Sequence, residues 1–152
     1  MRRSLNITIQ RGLALLTCLV LISTAGCASR SRAPSAKRVK KTAAAVFAQE
    51  WVELLDAGKY DQAFEQKPLR YRVSSTRQQF ERYMLGRRVP FGRALSRKFI
   101  AATFTTKMVG LPDGEYETIL FKTGFENKAA AAERVILTKE AGRRYVLGYR
   151  VY

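Results

Sequence analysis

The chain has 152 residues, with 28 Lys and Arg against 12 Asp and Glu, no histidine and two cysteines, for a formal charge of +16. Lack of histidine removes the commonest general base, the usual triad partner and the commonest metal ligand. The acidic residues form no DxDxDG-type loop, so neither a metal nor another cofactor is expected.

Met1-Arg2-Arg3 and Arg11 make a positive start. Leu13 to Ile22 is an uncharged apolar run, and Ser23-Thr24-Ala25-Gly26-Cys27 closes it with small residues. That order reads as a secretory signal peptide over residues 1–26, with a run too short to span a bilayer as a helix. The cysteine after Ala25-Gly26 resembles the lipobox of bacterial lipoproteins, with Thr24 where that motif prefers leucine. The resemblance implies cleavage before Cys27, a diacylglycerol on its sulfur and a fatty acyl group such as palmitate on the new N-terminus. Two or more chains make a stable membrane anchor. Ala28 and Ser29 stand where an Asp would be a retention signal. By the same resemblance, a Gram-negative host would place the domain on the periplasmic face of the outer membrane. The alternative is an ordinary signal peptide in which Cys27 is merely a small residue. Cys18 leaves with the leader, so a lipidated Cys27 leaves no free thiol for catalysis, metal binding or a disulfide.

Residues 27–42 are Ser, Ala, Arg and Lys around Pro34, without apolar periodicity. They read as a flexible basic tether. Residues 43–152 then form one domain of ordinary size. Loss of Arg2, Arg3 and Arg11 leaves about +13 on the mature chain. Export argues against nucleic acid and directs that charge to anionic lipid, lipopolysaccharide or a cell-wall polymer; solubility alone is the competing explanation. The tether run Lys37 to Lys41 would lie on an anionic membrane, and Arg87, Arg88 and Arg93 form a second basic corner.

In the domain, Phe47, Trp51, Leu54 and Leu55 recur with helical period, and Gln49, Glu50, Glu53 and Asp56 take the other side. Thr42 is the expected N-cap and Gly58 the left-handed stop. Trp51 is expected in the core. A short second helix covers Lys59 to Glu65, capped by Asp61 and ended by Pro68. Ser75 and Gln78 have capping-box spacing and open a third helix, with Phe80, Tyr83 and Met84 on one face and Gly86 at its end. From Leu95 the period changes to two. Strands follow to about Met108, over Tyr116–Phe125, over Glu133–Lys139 and over Tyr145–Val151. Leu111-Pro112-Asp113-Gly114 and Glu140-Ala141-Gly142-Arg143 are their turns. Asn127 to Ala132 reads as a small-residue loop or bulge. About three helices before four strands means α+β, with an antiparallel sheet packed on helices.

Phe47-Ala-Gln-Glu-Trp-Val-Glu-Leu-Leu-Asp-Ala-Gly-Lys-Tyr60, Arg88-Val-Pro-Phe-Gly92 with Ser96-Arg97, Leu111-Pro-Asp-Gly-Glu-Tyr116, Glu133 and Gly148-Tyr149 together resemble the bacterial secreted family called domain of unknown function 4019. Phe80 and Tyr145 stand where that family usually has Trp, which marks both as packing positions. The resemblance implies an NTF2-like or cystatin-like fold, a curved sheet wrapping helices. It implies no activity.

Asp56, Tyr60 and Asp61 cluster in sequence, and Tyr116 and Tyr149 lie on strands. A carboxylate in an apolar cavity of such a fold would be able to serve as a base. Asp56, however, falls on the polar side of its helix and reads as a solvated end, so no catalytic residue is assigned. Arg88, Arg97 and Tyr60 remain as candidate ligand-binding residues. Arg88 and Arg97 would clamp a phosphate or carboxylate. Alternatively, Arg88 would bond carbonyls at its helix end, and Arg97 would pair with a strand carboxylate such as Glu117 or Glu133. The expected function is a lipid-anchored envelope protein acting as a non-enzymatic binding or interaction module for an anionic component or a protein partner. A small-molecule-binding protein or enzyme with an NTF2-like cavity is the alternative.

Overall fold

The computed structural model describes residues 41–152. The leader, Cys27 and residues 27–40 of the tether lie outside them.

The first helix, α1 (Ala43–Asp56), starts where expected: Thr42 is extended and its Oγ1 accepts from the Ala45 N–H at 3.1 Å. It stops at Gly58, φ +70°. The Gly58 N–H donates to the Leu55 carbonyl at 3.2 Å and the Lys59 N–H to that of Leu54 at 2.8 Å, the paired bonds of a Schellman stop. Its buried face is broader than the expected stripe. Ala44, Ala45, Ala48, Trp51, Val52 and Leu55 are buried, whereas Phe47 and Leu54 sit half-buried at its flank. The small alanines bring the backbone close to the core, and Trp51 fills what remains. The indole N–H donates to the Ala63 carbonyl at 2.9 Å, so burial leaves no unpaired donor.

Among the described residues four α-helices form, against about three expected. α2 (Tyr60–Glu65) is followed by α3 (Leu69–Arg72) and α4 (Arg77–Arg88). Pro68 both closes α2 and starts α3: with φ −56° it presents its carbonyl to the N–H groups of Tyr71 and Arg72. One turn is too short to show a period. Asp61 makes no capping bond; it lies inside the first turn of α2, 3.9 Å from Arg77. The capping box of α4 uses Thr76 and Gln79, one residue later than Ser75 and Gln78. The Ser75 hydroxyl instead donates to the Tyr71 carbonyl at 2.9 Å. Gly86 does not end α4. Pro90 does, by fixing φ and removing a donor, and the chain tightens into a 3₁₀ turn over Val89–Phe91. Tyr83 lies half in solvent beneath Arg87, away from the buried Phe80 and Met84.

The strands β1 (Ala94–Thr105), β2 (Glu115–Phe125), β3 (Lys128–Glu140) and β4 (Arg143–Val151) form an open antiparallel sheet in the order β1-β2-β3-β4. The alanine run is strand rather than loop, and it carries the bulge expected as the alternative. β3 begins at Lys128, after the two-residue connection Glu126-Asn127, and its pairing with β2 slips between the Thr123 and Ala131 pair and the Phe125 and Lys128 pair. Ala141 at φ +48° and Gly142 at φ +78° make the second tight hairpin. The alternation read along β1 breaks at an irregularity between Phe99 and Ala101. Phe99 is therefore buried, while Ile100 and Phe104 are exposed.

The inner face of the sheet carries Phe99, Ile119, Phe121, Val135, Leu137, Val146 and Tyr149, which pack with α1 and with Phe64, Phe80 and Met84 of the other helices. At about 25 cal/mol per Å², burying side chains of this size is the main drive for folding. Among the described residues no helix is long and apolar enough to cross a membrane.

Candidate functional site

The inner face is apolar through its middle, with Glu115, Glu117, Lys139 and Arg144 toward one end and a buried polar cluster at the other. There the alternation of β3 places Glu133 between Ala131 and Val135, facing the core, with no exposure to solvent. A carboxylate there must be paired and fully hydrogen-bonded, and four side chains do this. Glu133 Oε1 accepts from Arg88 Nη1 at 2.8 Å and from the Tyr149 hydroxyl at 2.6 Å. Its Oε2 accepts from Arg97 Nε at 2.6 Å and from the Thr123 hydroxyl at 2.7 Å. Arg88 Nη1 also donates to the Tyr149 oxygen at 2.6 Å.

Asp56 closes the arrangement. Standing in the last turn of α1, it accepts from Arg88 and takes Arg97 Nη1 at 2.7 Å. The four charges form a ring in which signs alternate: Asp56, Arg88, Glu133, Arg97. Both arginine side chains are more than nine-tenths buried, and Asp56 is about a quarter exposed (26 %) at the mouth. The elements that place them are the end of α1, the end of α4, and β1, β2, β3 and β4. The ring thus ties the C-terminal ends of two helices to every strand.

The electrostatics follow from this neutrality. Burial works against the charge on Arg97, but hydrogen bonds to Asp56 and Glu133 outweigh it and raise its pKa. Arg88 follows the same course, held by Tyr149, Asp56 and Glu133. Burial raises the Tyr149 pKa, and the Glu133 charge adds to that more than Arg88 offsets. The phenol therefore stays protonated and donates to Glu133. The Arg88 guanidinium also lies 5.2 Å from the Phe125 ring centre.

Beside the ring lies a surface cleft of about 440 Å³, edged by Asp56, Tyr60, Arg88, Gly92, Arg93 and Glu126. Its rim is clasped. The Arg93 backbone N–H donates to Glu126 Oε2 at 2.8 Å and its Nε to Oε1 at 2.7 Å. Gly92 has φ +73°, a conformation that strains any other residue, and a Cβ there would stand 2.8 Å from Glu126 Oε2 and displace the clasp. Pro90 and Gly92 thus turn the chain from helix to sheet.

Tyr60 packs against the core and edges the cleft. Arg97 pairs with Glu133, one of the two carboxylates its strand position suggested. Arg88 does not bond the carbonyls ending its helix; its side chain is buried in the ring. Asp56 does stand at an exposed helix end, as expected, but it is also the second acid of that ring. The basic corner is dispersed: Arg88 is buried, Arg93 is paired with Glu126, and Arg87 lies over Tyr83 with its guanidinium 4.4 Å from the ring centre. Thr123 carries no mark in the sequence, and Tyr149 stands out there only as a strand tyrosine of the family motif. The available signal was Glu133 itself, a carboxylate on an inward position of a Val, Ile and Leu-rich strand.

The model of the family DUF4019, described as a protein of unknown function, matches residues 47–149. The chain belongs to this family. No curated protein and no solved structure matches it. The DUF4019 match spans every member of the ring. Among the described residues no group of three or more His, Cys, Asp and Glu is placed to hold a metal ion.

A third, part-buried cation stands apart from these two arginines. Lys67 Nζ donates to the carbonyls of Val146 and Leu147 at 3.4 and 3.1 Å, where β4 is irregular against β3. Burial lowers its pKa to about 8.

Proposed function

We propose that this DUF4019 protein is a lipid-anchored envelope protein whose domain is a non-enzymatic binding or interaction module for an anionic envelope component or protein partner. The observation that carries the non-enzymatic part is the closure of the ring. Each arginine is spent on Asp56 and Glu133, and Glu133 accepts from four side chains. A general base needs a lone pair facing substrate, and an anion clamp needs free guanidinium edges; Glu133, Arg88 and Arg97 offer neither. We also propose an NTF2-like or cystatin-like fold. A long helix lying on one face of a four-stranded antiparallel meander supports that likeness. The anchor at Cys27 rests on the order of charged, apolar and small residues before it.

The cavity-based alternative has one feature in its favour: Asp56 and Tyr60 both edge the cleft. Against it, fully buried Trp51, Ile119, Phe121 and Val135 fill the space between sheet and helix.

Metabolic labelling with palmitate tests the anchor. The wild-type chain takes the label and fractionates with membranes. Cys27→Ala takes none. A wild-type protein that stays unlabelled, or whose mature N-terminus falls after Cys27, refutes the reading.

A further inference from the structure

The face of the sheet opposite the core carries a pattern that no stretch of sequence displays. Register puts Lys98 of β1 directly opposite Lys122 of β2, and Arg134 of β3 directly opposite Arg150 of β4. Lys122 pairs with Ala132 and Leu120 with Arg134, so Lys122 and Arg134 are diagonal neighbours. One basic residue per strand thus forms a stripe across the whole sheet.

None of the four makes an ion pair with a described carboxylate; the described pairs involve other cations. Arg134 Nε is buried without a hydrogen-bond partner. The guanidiniums of Arg134 and Arg150 share the Tyr152 ring, at 5.3 and 5.4 Å from its centre. The one acidic strand residue on this face is Glu140, far along β3 and engaged with Arg70 at 3.3 Å. Like charges directly opposite destabilise a sheet, so the arrangement has an internal cost that no described carboxylate offsets, and only the Tyr152 ring meets two of the cations.

We infer that this face docks on an anionic lipid bilayer. Charge complementarity demands an anionic partner. Its form follows from the layout: the charges spread over about 15 Å, the width of four strands. The floor between them is shallow, made of half-buried Leu120 and Ile136 with Ala132 and Gly148. A single small anion cannot meet all four cations, whereas a plane of headgroup phosphates does. The inference rests on the envelope-anchored reading, in which a lipid on Cys27 keeps the domain within tether reach of that surface.

The test uses the full chain carrying Cys27→Ser, so that no acyl group masks the face. It is mixed with vesicles of equal parts phosphatidylglycerol and phosphatidylcholine, and with vesicles of phosphatidylcholine alone. Two fourfold variants are compared after circular dichroism shows both folded. One neutralises the stripe: Lys98→Gln, Lys122→Gln, Arg134→Gln and Arg150→Gln. The other removes the same charge elsewhere: Lys59→Gln, Arg82→Gln, Arg87→Gln and Lys107→Gln. The expected result is a loss of at least about tenfold in affinity for anionic vesicles for the stripe variant and less than about threefold for the control. Wild-type binding should weaken between about 0.05 and 0.5 M salt, because exposed charges are screened. Equal loss in both variants, or no wild-type preference for anionic vesicles at low salt, overturns the inference. Binding to soluble polyphosphate but not to vesicles also overturns it. Palmitate labelling reports separately on the anchor, so the two readings fail independently.

Discussion

One sheet treats charge in opposite ways on its two faces. On the inner face every strand acid has a basic partner: Glu133 with Arg88 and Arg97, Glu117 with Arg144 at 2.7 Å, Glu115 with Lys139 at 3.2 Å. On the outer face two direct cross-strand pairs are alike in charge, Lys98 with Lys122 and Arg134 with Arg150, and Glu140 stands opposite Arg143 only at the far end of β3. The difference follows from solvent. In the core an unpaired charge costs several kcal/mol, so sequence positions that face inward must carry partners. Outside, water screens like charges, and a sheet tolerates their repulsion at a few tenths of a kcal/mol. Inner charges therefore report on how the fold is held. Outer charges are free to serve a partner.

The comparison breaks most sharply at Glu133. Glu133→Gln keeps the shape but leaves two buried guanidiniums facing one carboxylate. Breaking a buried pair in this way costs about 3–5 kcal/mol, enough to lower the Tm of a domain this size by more than about 10 °C. Thermal melts of the two proteins at neutral pH measure it. A loss below about 1 kcal/mol is the behaviour of a surface pair and would remove the ring from its central place in stability. The inner face should also show a gradient. Glu115 and Lys139 are about half exposed (53 % and 40 %), so Glu115→Gln should change stability by less than about 1 kcal/mol.

Much of this fold was legible because local rules agreed with tertiary ones. Thr42, Gly58 and the Ala141-Gly142 turn stand where cap and hairpin chemistry place them, and Trp51 is as buried as its helical spacing suggested. Two kinds of feature were not legible. Single-turn α3 and the extension of α4 through Gly86 depend on where Pro68 and Pro90 fall and on packing, not on periodicity. The ring and the stripe both depend on register, which no single strand encodes. Arg88 and Glu133 lie 45 residues apart, and only the pairing of β1 with β2 makes Lys98 and Lys122 neighbours. Basic runs in the sequence misled for the same reason: the fold scatters the run at Arg87, Arg88 and Arg93, and assembles a stripe from isolated residues.

Lys67 sharpens the contrast, being a part-buried cation satisfied by carbonyls and, among the described residues, by no carboxylate. Its amine titrates near 10.5 in the unfolded chain and near 8 in the folded one. Between those values the unfolded chain holds more protons, so this group makes stability rise with pH across that window and opposes folding below it. Lys67→Met removes the dependence. The difference in unfolding free energy between wild type and Lys67→Met should move in favour of wild type by about 1–3 kcal/mol from pH 7 to pH 10. Denaturant titrations at both pH values read it. A difference independent of pH would mean that the amine stays hydrated and charged.

The smallest expected effect is also the one of opposite sign. If the outer face bears a repulsion retained for a partner, relieving it should make the free protein more stable. Lys122→Glu turns the Lys98 cross-strand pair from like to opposite charge, and its diagonal neighbour Arg134 gains as well. The expected gain is about 0.2–1 kcal/mol, seen at low salt and fading as salt rises. The same substitution should weaken binding to anionic vesicles. Stability and binding moving in opposite directions at one residue is what a surface kept for function predicts, since most surface substitutions change stability little and have no second consequence. If Lys122→Glu leaves both unchanged, the stripe is ordinary surface, and the two faces differ only in their exposure to water.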